Sequence, residues 1–143
     1  MLDPIRNPER ERRLPAERPR VDFGNRFLDE LAPLEIERLA PSLRRVFLQR
    51  DQVIVRPGET ITSLHFPIDL FGWSWTETTG ADRPTSVLTV GHRGVLEWNR
   101  VLEVDRGQSC VTIISPGAAW RLPIEVFEQQ QPHAHSPLRR MLL

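Results

Sequence analysis

The stretch VIVRPGETITSLHFP, residues 53–67, is the part of this chain that says most about its fold. Two runs of apolar and β-branched residues lie on either side of Pro57 and Gly58. Proline fixes one backbone angle of a tight turn, and glycine accepts the positive φ that follows it, so the pair predicts a sharp reversal between two strands. We therefore expect this turn to be a structural corner and not a binding site.

The same two-residue alternation recurs along the chain after Pro41. Short segments rich in β-branched and aromatic residues, separated by Gly, Pro, Asp or charged turns, predict antiparallel strands. They are VFLQ (46–49), VIVRP (53–57), SLHFPIDL (63–70), WSWTET (73–78), TSVLTV (85–90), CVTIIS (110–115) and AAWRL (118–122). Leu64, Phe66, Ile68 and Leu70 are expected to share a face, and the parity changes across Gly72, which predicts a bend or bulge there.

Short helices are predicted on both sides of the strands. Asn25 is suited to cap a first helix, and Pro33 suits the first position of a second. After the strands, Pro123 is expected to start the helix IEVFEQQQ, and Ser136 with Pro137 to begin a last one. Residues 1–24 are rich in Pro, Arg and acidic residues with little apolar periodicity, which predicts a flexible arm before a single domain at 25–143.

Composition narrows the classes of function. Basic and acidic residues balance at 19 each, so no global positive charge favours nucleic acid or anionic lipid. The single Cys110 cannot form an internal disulfide, and no segment is apolar enough for a signal peptide or a membrane span. The expected location is the cytoplasm, without a membrane partner.

The order of elements resembles the cyclic nucleotide-binding domain, as used for sensing in the Crp/Fnr family of bacterial transcription regulators. The resemblance covers about residues 25–143 and is carried by NRFLDELAPLEIERLAPSLRRVFLQRDQVIVRPGETITSLHFPIDLFGW and VGHRGVLEWNRVL. It implies a mainly β fold, an antiparallel β-roll of the jelly-roll type with short flanking helices. In the family, a long helix after the roll pairs two subunits and a winged helix-turn-helix reads DNA. This chain reaches only the first turns of that helix, so we expect no direct DNA binding and a monomer or weak homodimer.

In that family the ligand binds at a cassette between two strands, where a Gly-Glu pair opens a short helix and an arginine follows. Amides at the helix start and the arginine bind the cyclic phosphate, and the glutamate binds the ribose hydroxyl. The corresponding segment here is 91–110, of which GVLEWNRVL (94–102) is expected to form a helical turn. The ligand-binding residues that the resemblance implies are Gly91, Gly94, Val95, Glu97, Arg106 and Gly107.

The cassette of this chain departs from the family pattern. Gly94 is followed by Val95, and Glu97 lies three residues away. The position of the phosphate arginine holds Gly107, and Arg106 is one residue off, which points it outward if the strand pattern holds. A phosphate buried without its arginine keeps an uncompensated charge, so the sequence predicts a degenerate nucleotide site, although a shifted loop with Glu97 and Arg106 remains an alternative.

The residue patterns that catalytic sites, metal sites and iron–sulfur clusters require are absent from this sequence. No nucleophile elbow or phosphate-binding glycine loop is present, so no enzyme activity and no cofactor are predicted. A cupin-like metalloenzyme needs converging histidines, but His65 and His92 are isolated, and His133 and His135 lie in a polar segment. Haem binding through His65 or His92 has no support in the sequence beyond the histidines themselves. Cys110 alone cannot hold an iron–sulfur cluster and is expected to be a small core residue.

Three functional hypotheses follow, and the least favoured of them is a small cupin-like metalloenzyme. The first is a ligand-sensing or regulatory domain that resembles the sensor half of a Crp/Fnr regulator, with an unknown small-molecule ligand or protein partner and no DNA-binding domain of its own. The second is a protein-interaction module that keeps the β-roll as a scaffold. Four tryptophans, expected either to pack in the core or to line an apolar pocket, bear on this choice: Trp73, Trp75, Trp98 and Trp120.

Overall fold

The computed structural model describes residues 22–77, 84–97 and 109–129. Several predictions lie outside these ranges: the arm at 1–21, the end of the expected turn at 98–102, Arg106, Gly107, Trp98, His133, His135 and the last helix. Within the described ranges, no helix is long and apolar enough to cross a membrane.

Two short helices open the described chain, as predicted. Helix α1 spans Arg26–Asp29 and helix α2 spans Pro33–Leu39, followed by a 3-10 turn at Ala40–Ser42. The side chain of Asn25 caps α1 by accepting from the backbone N–H of Leu28 at 3.2 Å. Pro33 occupies the start of α2, where its missing N–H has no intrahelical partner to lose.

Seven strands in the described ranges form two antiparallel sheets, and a helix follows them. The strands are β1 (Arg44–Leu48), β2 (Val53–Val55), β3 (Ser63–Pro67), β4 (Phe71–Glu77), β5 (Pro84–Val90), β6 (Cys110–Ser115) and β7 (Gly117–Pro123), and the helix is α3 (Ile124–Gln129). Sheet A has the order β1-β7-β3, and sheet B has the order β2-β6-β4-β5. The predicted mainly β fold with short flanking helices is confirmed.

The Pro-Gly turn has the predicted geometry. Gly58 adopts φ +82, and the backbone N–H of Glu59 donates to the carbonyl oxygen of Arg56 at 3.1 Å. The Glu59 carboxylate in turn accepts from the backbone N–H of Arg56 at 3.2 Å. The turn therefore closes on itself and needs no partner from elsewhere in the chain.

A Gly58→Ala variant is expected to lose about 1 kcal/mol of unfolding free energy, because a Cβ is disfavoured at positive φ. Nothing lies within 4 Å of the new Cβ, so the loss measures backbone strain alone. Urea denaturation checks the value. Gly58→Asn is the control, since asparagine tolerates this region better; an alanine variant as stable as the wild type would contradict the turn.

The predicted bulge lies at Gly72, where the pairing of β4 with β6 shifts register between Phe71 and Gly72. A Cβ at Gly72 would lie 2.6 Å from Leu96 Cδ2 and 3.3 Å from the carbonyl oxygen of Thr112. Glycine thus allows the segment that follows β5 to pack directly onto β4. The bulge and this close approach occur at one residue.

Sheet A separates two clusters of buried side chains. On one face, Leu64, Phe66 and Leu122 pack with the residues of α1 and α2. On the other face, Ala119 packs with Val111 and Ile113 of sheet B. Directly opposite residues of paired strands share a face, so the alternation along β3 and β7 decides which side chains enter the space between the sheets.

The structure corrects the predicted face of Leu70. Leu70 does not join Leu64 and Phe66 but belongs to the cluster between the sheets, because β3 ends at Pro67 and the alternation stops there. Phe23, inside the predicted arm, is buried, and its carbonyl oxygen accepts from Trp120 Nε1 at 2.8 Å. Phe23 therefore packs against the domain through its ring and its carbonyl oxygen.

The predicted burial in the core holds for some of the tryptophans and Cys110 and not for others. Cys110 is buried, as predicted, and Trp120 packs against the cluster beside the helices. Trp73 and Trp75 are half-buried on β4, and the Trp75 indole donates to Thr112 Oγ1 at 3.4 Å. These two rings belong to neither described cluster of buried residues.

Candidate functional site

The described first part of the cassette, residues 91–97, is a loop that packs onto both clusters. The backbone N–H of Gly94 donates to the carbonyl oxygen of Gly91 at 3.1 Å, which closes a turn. Val95 and Leu96 follow with 1% exposure each, Val95 against the helical cluster and Leu96 between the sheets. Residues 94–97 form bends and turns, so the described part of the expected helical turn is not helical.

Glu97 and His65 form a buried pair at the centre of this region. Glu97 is 2% exposed, and its Oε2 accepts from the backbone N–H of His65 at 2.7 Å. Its Oε1 is bonded to the His65 ring nitrogen Nδ1. Because a buried carboxylate needs such partners to offset the loss of water, the pair explains how Glu97 is accommodated in the core.

The loop also covers the edge of sheet A. Strand β3 is the last strand of that sheet, so one row of its backbone groups faces away from β7. The His65 carbonyl oxygen accepts from the backbone N–H of Leu96 at 3.0 Å, while the His65 N–H is satisfied by Glu97. The cassette loop therefore satisfies both outward-facing backbone groups of His65 on this edge strand.

Asn25 ties the first helix to the same loop. Its side-chain Nδ2 donates to the carbonyl oxygens of Pro67, at 2.8 Å, and Gly94, at 3.0 Å. The backbone N–H of Arg26 donates to the carbonyl oxygen of His92 at 2.7 Å. Asn25 is fully buried, so the sequence-based prediction of a cap identified one of its three roles.

A carboxyl group on α1 is also perturbed. Burial raises the pKa of Asp29 above its ordinary value of 3.8, although the backbone N–H of Phe23 donates to it at 2.7 Å and opposes the shift. A raised pKa in the folded state means that this group favours folding below about pH 3.8 and that the contribution is lost as the pH rises through the raised pKa.

A cavity of about 180 Å³ lies beside the His65–Glu97 pair. Its polar side includes His65, Arg121 and Ser63, and Arg121 Nε donates to Ser63 Oγ at 3.2 Å. Arg121 lies between Arg44 and His65 across sheet A, which places the three side chains on one face in a row. Sequence analysis treated His65 as an isolated histidine and did not select Arg121.

The residues that the resemblance implied are only partly brought together. Gly91, Gly94, Val95 and Glu97 lie on one loop, and of these Glu97 lines the cavity. Arg106 and Gly107 fall outside the described residues. In the described segments, no group of three or more His, Cys, Asp or Glu side chains is placed to hold a metal ion.

No protein-family model matches this chain, and no curated protein matches it either. Several solved structures, however, are similar to this chain in fold. The sensor domain of the transcriptional regulator DNR from Pseudomonas aeruginosa has 17% identity and a TM-score of 0.62, with 81% of each chain covered. The catabolite activator protein of Thermus thermophilus has 14% identity and a TM-score of 0.58, with 81% of this chain and 53% of that chain covered.

A eukaryotic structure shares the fold as well. The regulatory domain of Toxoplasma gondii PKA with cAMP has 15% identity and a TM-score of 0.60, with 72% of this chain and 39% of that chain covered. This chain thus spans well under half of the PKA chain and about half of the activator. At these identities the likeness establishes the fold, which confirms the sequence-based resemblance to cyclic nucleotide-binding domains at that level.

Proposed function

Starting from the fold of the cyclic nucleotide-binding domains, we propose that this chain is a non-enzymatic ligand-sensing or regulatory domain whose ligand is not a cyclic nucleotide. The observation that carries the proposal is the burial of the Glu97 side chain and its bonding to His65. In the family that the sequence resembles, the cassette glutamate binds the ribose hydroxyl. Here both carboxylate oxygens are bonded to His65, and the side chain is fully buried.

The backbone amides of the loop support the same conclusion. A phosphate bound at this segment would need free N–H groups at the start of a helix. The N–H of Gly94 is bonded to Gly91, and that of Leu96 is bonded to His65. Two of the donors that could face a phosphate are thus used inside the protein, and Val95 lies buried between them.

The nearest cavity also suits a smaller ligand. Sites for drug-sized molecules usually measure about 300–1,000 Å³. The cavity beside His65 measures about 180 Å³ as bounded by the described residues. The fold that this chain shares with the DNR sensor domain supports a sensing role, with the response produced by another domain or another protein.

We expect cyclic AMP, cyclic GMP and cyclic di-GMP to leave the melting temperature of the purified chain unchanged. A nucleotide at about 100 times its dissociation constant would add about 2.7 kcal/mol to the free energy of unfolding, which a thermal-shift assay detects as several degrees. Buffer and noncyclic AMP provide the baseline.

Substitution of Arg106 shows whether any nucleotide binding occurs at the cassette. A rise in melting temperature that disappears in Arg106→Ala, but persists in Arg93→Ala, would show that the cassette binds nucleotides in a shifted form. Arg93 is an exposed arginine of the same segment and is therefore the matched control. That result would overturn the proposal.

A further inference from the structure

We propose that the cavity between the sheets binds a small organic carboxylate, with the carboxylate on Arg121 and the apolar part of the ligand against sheet B. This inference rests on the proposed function, because it names the class of ligand that the sensing domain would take. The three apolar side chains that line the cavity are Ile54, Val55 and Ile61, and the polar ones used here are Ser63, His65 and Arg121.

Arg121 is a suitable anion-binding group. A guanidinium has five N–H donors in a planar fork that matches a carboxylate. Its Nε donates to Ser63 Oγ at 3.2 Å, which orients the fork and leaves the two terminal nitrogens. Among the described residues, no ion pair within 4.0 Å includes Arg121, so no acid in that part of the chain neutralises its charge.

The two carboxylates that also line the cavity are already bonded. Glu59 forms an ion pair with Arg56 at 3.7 Å and accepts from the backbone N–H of the same residue at 3.2 Å. Glu97 accepts from His65 through both oxygens. Arg121 is exposed at the mouth of the cavity, and its positive charge is the one that the described lining leaves without an opposite partner, so it is accessible to an anionic ligand.

His65 and Ser63 add hydrogen-bonding capacity beside the guanidinium. With Nδ1 bonded to Glu97, the second ring nitrogen of His65 has no bonding partner among the described residues, and the side chain is 13% exposed. Ser63 Oγ accepts from Arg121, so its hydroxyl proton remains to be donated. Both groups are held by their neighbours, which lowers the entropic cost of binding.

The opposite wall determines the rest of the ligand. Val55 and Ile61 are buried members of the cluster between the sheets, and Ile54 packs against that cluster. Seven of the ten lining residues are polar and three are aliphatic, which suits a molecule with one charged end and a short hydrocarbon or aromatic body. An inorganic ion would leave the three aliphatic side chains uncovered.

The test is a titration of the full ¹⁵N-labelled chain with sodium benzoate and sodium hexanoate, followed by NMR. We expect saturable shifts of the amide signals of Ser63, His65 and Arg121. Benzamide and hexanamide, which have the same shape without the charge, are expected to produce no saturable shift. Arg121→Gln is expected to weaken binding of the two acids at least about tenfold, as follows from losing a charged hydrogen-bonding partner.

The matched control is Arg45→Gln, which removes an exposed arginine from the neighbouring strand on the opposite face of the sheet. It should bind both acids as the wild type does. If Arg121→Gln does not give a folded spectrum, Arg121→Lys replaces it, since lysine keeps the charge but loses the planar fork and should also bind more weakly.

Absence of binding by both acids overturns the carboxylate site, as does equal binding of the amides or of inorganic phosphate, or unchanged affinity in Arg121→Gln. The cyclic nucleotide assay separates this failure from failure of the proposed function. If neither the acids nor the nucleotides bind, only the carboxylate site is lost. If the nucleotides bind through Arg106, the proposed function is wrong as well.

Discussion

A Glu97→Ala variant is expected to lose about 3–5 kcal/mol of unfolding free energy, because it leaves two groups of His65 without their hydrogen-bonding partner and creates a cavity in the core. The substitution leaves the backbone N–H and the ring nitrogen of His65 without their acceptor. It also opens a void where the side chain is fully buried. Urea denaturation at neutral pH, with the slope compared between variants, measures the loss.

A conservative variant and an exposed control help to interpret the loss of stability. Glu97→Gln keeps the shape and one carbonyl acceptor, so it is expected to lose about 1–3 kcal/mol, and it replaces the alanine variant if that chain does not fold. Glu125→Ala, at an exposed glutamate of α3, should change stability by about 1 kcal/mol or less. If Glu97→Ala were as mild as Glu125→Ala, the carboxylate would be available to a ligand, and the main support for a non-nucleotide site would be lost.

Local signals in the sequence predicted most of the strands. The segment 110–115 was predicted as a strand and is β6, Cys110–Ser115, because its apolar residues lie in a β-branched run between turn residues. The turn at Pro57 and Gly58 and the bulge at Gly72 were also predicted correctly. In each case the deciding property, a backbone angle or a change of parity, belongs to one residue and its neighbours.

The end of β3 could not be predicted from the local alternation of apolar residues. The sequence predicted a strand to Leu70, but β3 ends at Pro67, and only the backbone N–H of Ile68 still donates to β7, to the carbonyl oxygen of Ala118 at 2.9 Å. Beyond it, the Asp69 carboxylate accepts from the backbone N–H of Ala118 at 2.7 Å and takes the place of a strand partner. The apolar residues after Pro67 kept the alternation in the sequence, although the strand itself had ended.

The central pair could not be predicted for a different reason. His65 and Glu97 are 32 residues apart, and no spacing rule connects them. Sequence analysis placed Glu97 in the cassette through the family resemblance and set His65 aside as isolated. Only the folding of the cassette loop onto the edge of β3 brings them together, so the partner of each residue is a property of the tertiary structure. Arg121 was missed because an exposed arginine in a strand is ordinary, and Arg121 is exposed here; only its neighbours in the fold place it beside the cavity.

An Asn25→Ala variant is expected to lose about 3–5 kcal/mol, because one buried side chain satisfies three backbone groups. It accepts from the N–H of Leu28 at the start of α1, and it donates to the carbonyl oxygens of Pro67 and Gly94. Alanine removes the helix cap and leaves two carbonyl oxygens without their donor. Urea denaturation measures the loss, and hydrogen exchange should show faster exchange at Leu96, whose N–H bond depends on the position of the loop.

Asn25→Ser separates the cap from the two donated bonds. Serine can cap a helix, but its short hydroxyl cannot reach both carbonyl oxygens, so this variant should recover only about 1 kcal/mol of the loss. Asp22→Ala is the matched control: the Asp22 carboxylate accepts from the N–H of Gly24 at 2.8 Å in an exposed position, and its removal should cost about 1 kcal/mol or less. Full recovery by serine would mean that the cap is the whole contribution of Asn25. The first helix would then not hold the cassette loop, and the position of Glu97 against His65 would depend on the loop's own packing through Val95 and Leu96.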